Sequence, residues 1–184
     1  MHEMGRVEWK DTLLGKQTVP IVITGGTGCV GTAIITCLLE RLPHVSIHVL
    51  DLVIPAQNDP RFVPGVAKYH QGDVTDLAAV LDIFSEVGPK AIVHSASLIP
   101  SAAKNLGVGN EGLEKVNIQG TENVLEAARA IGSVEAFVYT SSCDVVKPDP
   151  WVDLINVTEE GTAHLVHSKQ WRQKYPETKV NGRQ

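Results

Sequence analysis

Cysteine, aromatic side chains and long apolar runs are all scarce in this chain of 184 residues. The 3 cysteines, Cys29, Cys37 and Cys143, are odd in number and show no CxxC spacing. That excludes a disulfide framework and a structural zinc centre, and it fits a reducing compartment. Histidines are scattered, with only His164 and His167 close together, so no metal is expected. Basic runs are absent: Lys and Arg number 16 against 21 Asp and Glu, a net charge of -5. Such a chain lacks the electrostatic footprint of a nucleic-acid or anionic-membrane binder. Trp151 and Trp171 are read as covering core edges rather than stacking bases. No apolar stretch approaches the ~20 residues needed to cross a bilayer. Met1 to Gln17 is polar and mixed in charge, unlike a signal peptide, and a cytoplasmic location is expected. Asn156-Val-Thr158 then has no use as a glycosylation acceptor.

What remains is an ordinary globular composition, 43% apolar and 20% charged, in a length suited to one domain. Residues 1–17 read as an N-terminal extension and 18–184 as the domain. Val19 to Thr24 is an apolar run that ends at a glycine cluster, and Pro20 must sit near its start because proline cannot donate to a ladder. Thr32 to Leu42 has helical spacing and is stopped by Pro43. Val45 to Leu50 alternates and ends at Asp51, and Val66 to His70 is a weaker strand. Asp76 can cap a helix to Val87 with Leu77, Val80, Leu81 and Phe84 on one face. Lys90 to Ala96 is a fourth strand, Gly112 to Ile131 a helix, and Val134 to Thr140 a fifth strand. Strands alternating with helices, most of them continuously apolar, predict an α/β doubly wound parallel sheet.

Thr24-Gly-Gly-Thr-Gly-Cys-Val-Gly31 lies where the first strand meets the first helix. Gly26, Gly28 and Gly31 fit GxGxxG, and Gly25, Gly28 and Gly31 fit GxxGxxG. The glycines serve a tight turn, the approach of backbone N–H groups to a pyrophosphate, and close helix–strand packing. The helix N-terminus then faces the phosphate charge. Asp51 follows Gly31 by 20 positions at a strand end, where it can accept both ribose hydroxyls and repel a 2′-phosphate. NAD is therefore expected over NADP. A nucleoside-triphosphate loop would need a lysine after the last glycine, and Thr32-Ala33 stands there instead. Cys29 in this loop is read as packing, and Cys37 and His94 as core.

Tyr175-Pro-Glu-Thr-Lys179 places a phenol and an ammonium four apart, on one face if helical. A free tyrosine has a pKa of ~10, and a nearby lysine cation favours the phenolate. Ser141 and Ser142 end the fifth strand, where doubly wound sheets bind ligands, and a serine hydroxyl there can hold a substrate oxygen.

With these segments the chain resembles the extended short-chain dehydrogenase/reductases, within them the 3β-hydroxysteroid dehydrogenase group and the sterol-4-carboxylate 3-dehydrogenases. Further residues carrying the resemblance are Gly72-Asp-Val-Thr75, Ile92-Val-His-Ser-Ala-Ser97, Val116-Asn-Ile-Gln-Gly-Thr121 and Val138-Tyr-Thr-Ser-Ser142, with Asp153-Leu-Ile-Asn156 leaning the same way. The resemblance implies a Rossmann-like, NAD-dependent oxidoreductase acting on the 3β-hydroxyl of a small-molecule steroid or sterol. It implies Tyr175 as proton acceptor, Lys179 as ribose ligand and modulator of the tyrosine, and Ser142 as catalytic serine. Gly25, Gly28, Cys29, Val30, Gly31 and Asp51 would line the cofactor, with Asp73 and Val74 at the adenine and Ala96 beside it. It also admits a homo-oligomer and association with the endoplasmic reticulum. Pro176 disfavours the α region for Tyr175 and predicts that residue at a helix cap. Family members continue well past this helix, whereas Lys179 is followed only by Val-Asn-Gly-Arg-Gln184. The expectation is an incomplete short-chain dehydrogenase without its C-terminal strands and substrate lobe. The same residues would serve a sugar-nucleotide epimerase or dehydratase, a flavonoid-type reductase, or a non-catalytic NAD-binding fragment.

Overall fold

The computed structural model describes residues 18–146 and 174–181. The extension 1–17, and the stretch 147–173 with Trp151, Trp171, His164, His167 and Asn156, lie outside the described residues. Five strands form one parallel sheet: β1 (Val19–Thr24), β2 (Val45–Asp51), β3 (Lys68–Gln71), β4 (Ala91–His94) and β5 (Ala136–Tyr139). Their order is β3-β2-β1-β4-β5. The chain runs outward from β1 to β3, then returns to β4 on the other side of β1. The crevice beyond the carboxyl ends of β1 and β4 is thus the topological switch point, where doubly wound sheets hold ligands.

The strands form because their apolar residues are covered on both faces. On one face Val22, Leu50 and Ile92 pack with Val80 and Phe84 of α2 (Leu77–Val87) and with Val124 and Ala127 of α5 (Gly120–Ile131). On the other, Ile21, Ile23, Ile47 and Val49 pack with Ile35 of α1 (Cys29–Arg41). Each such aliphatic or aromatic side chain, fully buried, contributes roughly 1.5–3 kcal/mol. Pro20 is the second residue of β1, where its carbonyl accepts a bond from the Lys90 amide at 2.9 Å. Asp76 caps α2 as expected, its carboxylate accepting from the amides of Ala78 and Ala79.

The helix expected over Gly112 to Ile131 is divided. It comprises α4 (Gly109–Glu114), one wide π turn (Lys115–Gln119) and α5. Hydrophobic spacing cannot register one inserted residue, so the π turn was invisible in the sequence pattern. A short helix, α3 (Pro100–Leu106), precedes it with proline in the first turn. The helix α1 starts at Cys29 rather than Thr32, because Gly28 serves as its N-cap. Strands β3, β4 and β5 are shorter than their apolar runs. The helix α6 (Lys174–Asn181) contains Tyr175 in its first turn, correcting the cap expectation. Pro176 is tolerated there because the missing N–H would have no helical acceptor.

Candidate functional site

The glycines of the loop do different work. Gly25 has φ 68°, and a Cβ on it would fall 2.6 Å from Ala96 Cα. A Cβ on Gly26 would meet Val49 at 2.7 Å, and one on Gly31 would lie 2.3 Å from the Gly25 carbonyl oxygen. These three are glycine because the protein's own atoms leave no room. Gly28 is different. Its φ of -77° and ψ of 168° suit any residue. It is exposed, and a Cβ there would touch only the Gly25 oxygen, at 3.2 Å. The fold gives no strong reason for glycine at 28, whereas a pyrophosphate lying against the backbone would. No side chain caps α1, so its first-turn amides face outward for an anion. Cys29 and Val30 follow at that N-terminus and are both exposed. The packing reading of Cys29 is therefore corrected. Cys37 is half-buried on α1, rather than in the core.

Asp51 ends β2 beside this loop. Its Oδ2 accepts from the Thr27 amide at 2.9 Å and its Oδ1 from the Leu52 amide at 2.8 Å. The carboxylate thus ties the glycine loop to β2, and its remaining lone pairs stay open to hydroxyl donors. The residues that follow, Leu52, Val53 and Ile54, are exposed and apolar, with no cation to meet a phosphate. Asp73 is exposed after β3, its Oδ1 accepting from the Thr75 amide, and Val74 is buried next to it. Ala96 follows β4 against Gly25. The expected cofactor residues up to position 96 lie at the carboxyl ends of β1, β2, β3 and β4, in the connections that leave them, or in the first turn of α1. The residues fit a dinucleotide.

A polar lattice the sequence reading missed supports the other wall. Thr121 Oγ1 donates to the Asn117 carbonyl at 2.8 Å, so at His94 Nε2, 2.9 Å away, it must accept. His94 is then the Nε2–H tautomer, and its Nδ1 accepts from Thr24 Oγ1 at 2.6 Å. Burial, reinforced by the Lys179 charge, pushes the His94 pKa down to about 3, so the ring is neutral. The Asn117 side chain, in the π turn, is saturated. Its Oδ1 accepts from Ser97 Oγ and the Leu98 amide, and its Nδ2 donates to the Leu98 carbonyl and to Thr178 Oγ1. Asn117 thus clamps the exit of β4 to α6, one residue before Lys179. Asn117 lies in the Val116–Thr121 segment that carries the resemblance, but its role as a clamp depends on contacts that only the fold supplies.

The helix α6 is fixed further by the ion pairs of Lys174 with Glu114 and, at 3.2 Å, with Glu177. Lys179 is 2% exposed, and its Nζ lies 4.4 Å from the centroid of the Tyr139 ring. No carboxylate among the described residues pairs with it. Burial pushes its pKa down to about 8. Tyr175 is half-buried one turn earlier on α6. Ser141 and Ser142 leave β5 toward a 3₁₀ turn (Cys143–Val146) that packs on α6. Ser142 Oγ accepts from the Asp144 amide at 3.2 Å, whereas the buried Ser141 Oγ has no partner within the described protein. A buried hydroxyl without a partner among the described residues is a group that calls for one. Among the described residues no helix is long and apolar enough to cross a membrane.

The 3-beta hydroxysteroid dehydrogenase/isomerase family matches residues 22–184. The chain is 34% identical over 150 residues to a decarboxylating sterol-4-alpha-carboxylate 3-dehydrogenase of Candida albicans, covering 80% of this chain and 40% of that protein. It is 34% identical over 134 residues to 3 beta-hydroxysteroid dehydrogenase type 7 of Mus musculus, 72% of this chain and 35% of that one. Among solved structures, a short-chain dehydrogenase/reductase superfamily protein of Agrobacterium tumefaciens with bound NAD superposes with a TM-score of 0.66 and 26% identity. That match covers 89% of this chain and 43% of the other. The chain spans well under half the length of the curated relatives it matches.

Proposed function

Since this chain belongs to the 3-beta hydroxysteroid dehydrogenase/isomerase family, we propose that it forms the cofactor-binding part of an NAD-dependent oxidoreductase for the 3β-hydroxyl of a steroid or sterol. Gly28 carries the cofactor half of the reading. It is an exposed glycine in an ordinary backbone conformation, at an uncapped helix N-terminus. Asp51 would accept the ribose hydroxyls, and the apolar Leu52-Val-Ile54 offers a 2′-phosphate nothing, which favours NAD. Asp73 and Val74 would flank the adenine, with Ala96 beside the cofactor. When bound, NAD supplies the acceptor for the hydride leaving the carbinol carbon.

The chain's own residues would do the rest. Tyr175 takes the hydroxyl proton, and Lys179, four residues on along the same helix, serves as the ribose ligand. Ser142 holds the substrate oxygen. The names of the relatives support the steroid or sterol class. Calorimetry of the full chain with NAD and NADP, followed by a 3β-hydroxysteroid panel, tests the reading in two stages. The expected result is preferential NAD binding, with oxidation that Tyr175→Phe lowers by at least ~100-fold. Tight binding with no turnover on the panel would leave a binding module, and absence of NAD binding would overturn the proposal.

A further inference from the structure

Lys179 is a buried cation with no carboxylate partner among the described residues, and a bare ammonium in that position needs something to hold it. What lies against it is a ring. Nζ sits 4.4 Å from the Tyr139 centroid, within the range where an aromatic face attracts a cation. The Tyr139 hydroxyl reaches the Lys179 carbonyl at 3.4 Å, so one side chain touches both ends of the residue. Tyr139 also stacks on His94, centroids 5.8 Å apart and planes inclined by 26°. His94 is in turn pinned by Thr24 on β1 and Thr121 on α5. A continuous stack therefore runs from the last residue before the glycine loop, through His94 and Tyr139, to the ammonium.

We propose that Tyr139 is a positioning residue that holds the Lys179 ammonium at the crevice through the face of its ring, with His94, held by Thr24 and Thr121, stacked against that ring. The inference rests on the reading of Lys179 as a cofactor ligand, but the ring–cation contact itself does not. The stacked His94 ring has to stay uncharged, since a histidinium against Tyr139 would repel the nearby Lys179 cation, and the low pKa of His94 provides that. The hydroxyl is secondary: it can be deleted while the π face remains.

The experiment uses the full chain labelled with 13Cε-lysine, the Lys179 signal being assigned by its loss in Lys179→Arg. The Lys179 Hε resonance is expected upfield of the other lysines through the Tyr139 ring current. Tyr139→Phe should keep that shift, and Tyr139→Leu should return the resonance to the bulk position. By calorimetry Tyr139→Leu should weaken NAD binding by about 10- to 30-fold. In a Lys179→Met background the same change should cost nothing further. Should Tyr139→Leu not fold, progressive ring fluorination of the Tyr139→Phe variant keeps the shape and weakens the π face, and affinity should fall with each fluorine. An unshifted Lys179 resonance in the parent chain, equal affinities across the fluorinated series, or loss of the shift in Tyr139→Phe would each overturn the proposal. If the parent chain shows the shifted resonance but binds no NAD, the positioning contact stands and the cofactor reading falls.

Discussion

Around the glycine loop the crevice wall is held by steric fit among backbone segments. Around Lys179 it is held by side chains meeting from far apart in the chain. At Gly25, Gly26 and Gly31 a single added carbon would strike a neighbouring strand or the loop itself, at 2.3–2.7 Å. Near Lys179, by contrast, Asn117 bonds Thr178 across 61 positions and Tyr139 reaches the Lys179 carbonyl across 40. The first wall is a local motif with one solution. The second is a lattice in which several residues hold one another. The first should therefore break all at once under a single substitution, and the second should respond by degrees.

The sharpest break lies inside the first wall. Gly31→Ala places a methyl group against the Gly25 carbonyl and Gly26 Cα, both backbone, and relief requires moving β1 or α1. A loss of about 3 kcal/mol or more is expected in urea unfolding, at the upper end for overpacking. Gly28→Val should behave oppositely, with stability changed by less than about 1 kcal/mol. Its NAD affinity should fall by at least ~100-fold, since the side chain takes the space a pyrophosphate would use. If both variants lost stability equally, Gly28 would be as structural as Gly31, and the cofactor argument would lose its strongest support.

That contrast also governs how much could be read before the fold was known. The strands β1 and β2, the capped α2, the loop and Asp51 were legible because short-range chemistry dictates them: an apolar run, a glycine spacing, an Asp at an N-cap. The doubly wound parallel class followed from the alternation of strands and helices. Asn117, Tyr139 and the His94 tautomer were not legible. Each has a neutral local reading, and each acquires meaning only when β4, β5, the π turn and α6 converge. Tyr139 looks like a strand aromatic until Lys179 is laid over it. The Tyr175 cap expectation failed for a related reason. The restriction from Pro176 is a preference, and tertiary anchoring of α6 through Lys174, Glu114 and Asn117 overrides it. Ser141 shows the limit from the other side: the hydroxyl without a partner among the described residues belongs to the serine beside the one that the resemblance implied.

The lattice wall should show itself through pH. In the folded chain His94 is pushed down to about 3, mainly by burial, and burial also lowers His48 and His70. Between the ordinary histidine value near ~6.5 and the folded value, the unfolded chain holds a proton that the folded chain refuses. Stability therefore falls as pH drops through that window, by about 1.4 kcal/mol per pH unit for His94 alone. On the alkaline side Lys179, pushed down to about 8 by burial, has the same sign. Stability should rise from about pH 8 toward the ordinary lysine value of ~10.4, and Lys179→Met should remove that rise. Urea unfolding between pH 6.5 and 5, before most carboxylates titrate, isolates the histidines. A flat profile there would mean that His94 accepts its proton in the folded state and that the ring stacked on Tyr139 is not neutral.

The smallest effect expected, and the one that joins the two walls' logic, is at Asp51. Its two oxygens already accept from Thr27 and Leu52, so it has a structural task before any ligand arrives. Asp51→Ala removes both acceptors and should cost about 1 kcal/mol as the two amides turn to water. It should also narrow the gap between NAD and NADP affinity by roughly 10-fold, because the charge that repels a 2′-phosphate is gone. Asp51→Asn separates the two tasks. Its Oδ1 can still accept from Thr27 or Leu52, so stability should return most of the way. Its amide has no negative charge, so the cofactor gap should stay narrow. Unfolding curves and paired NAD and NADP titrations on the parent and both variants decide it. If Asp51→Asn restored full discrimination against NADP, the preference would come from the geometry of the glycine loop that residue 51 anchors, and charge repulsion would have no part in it.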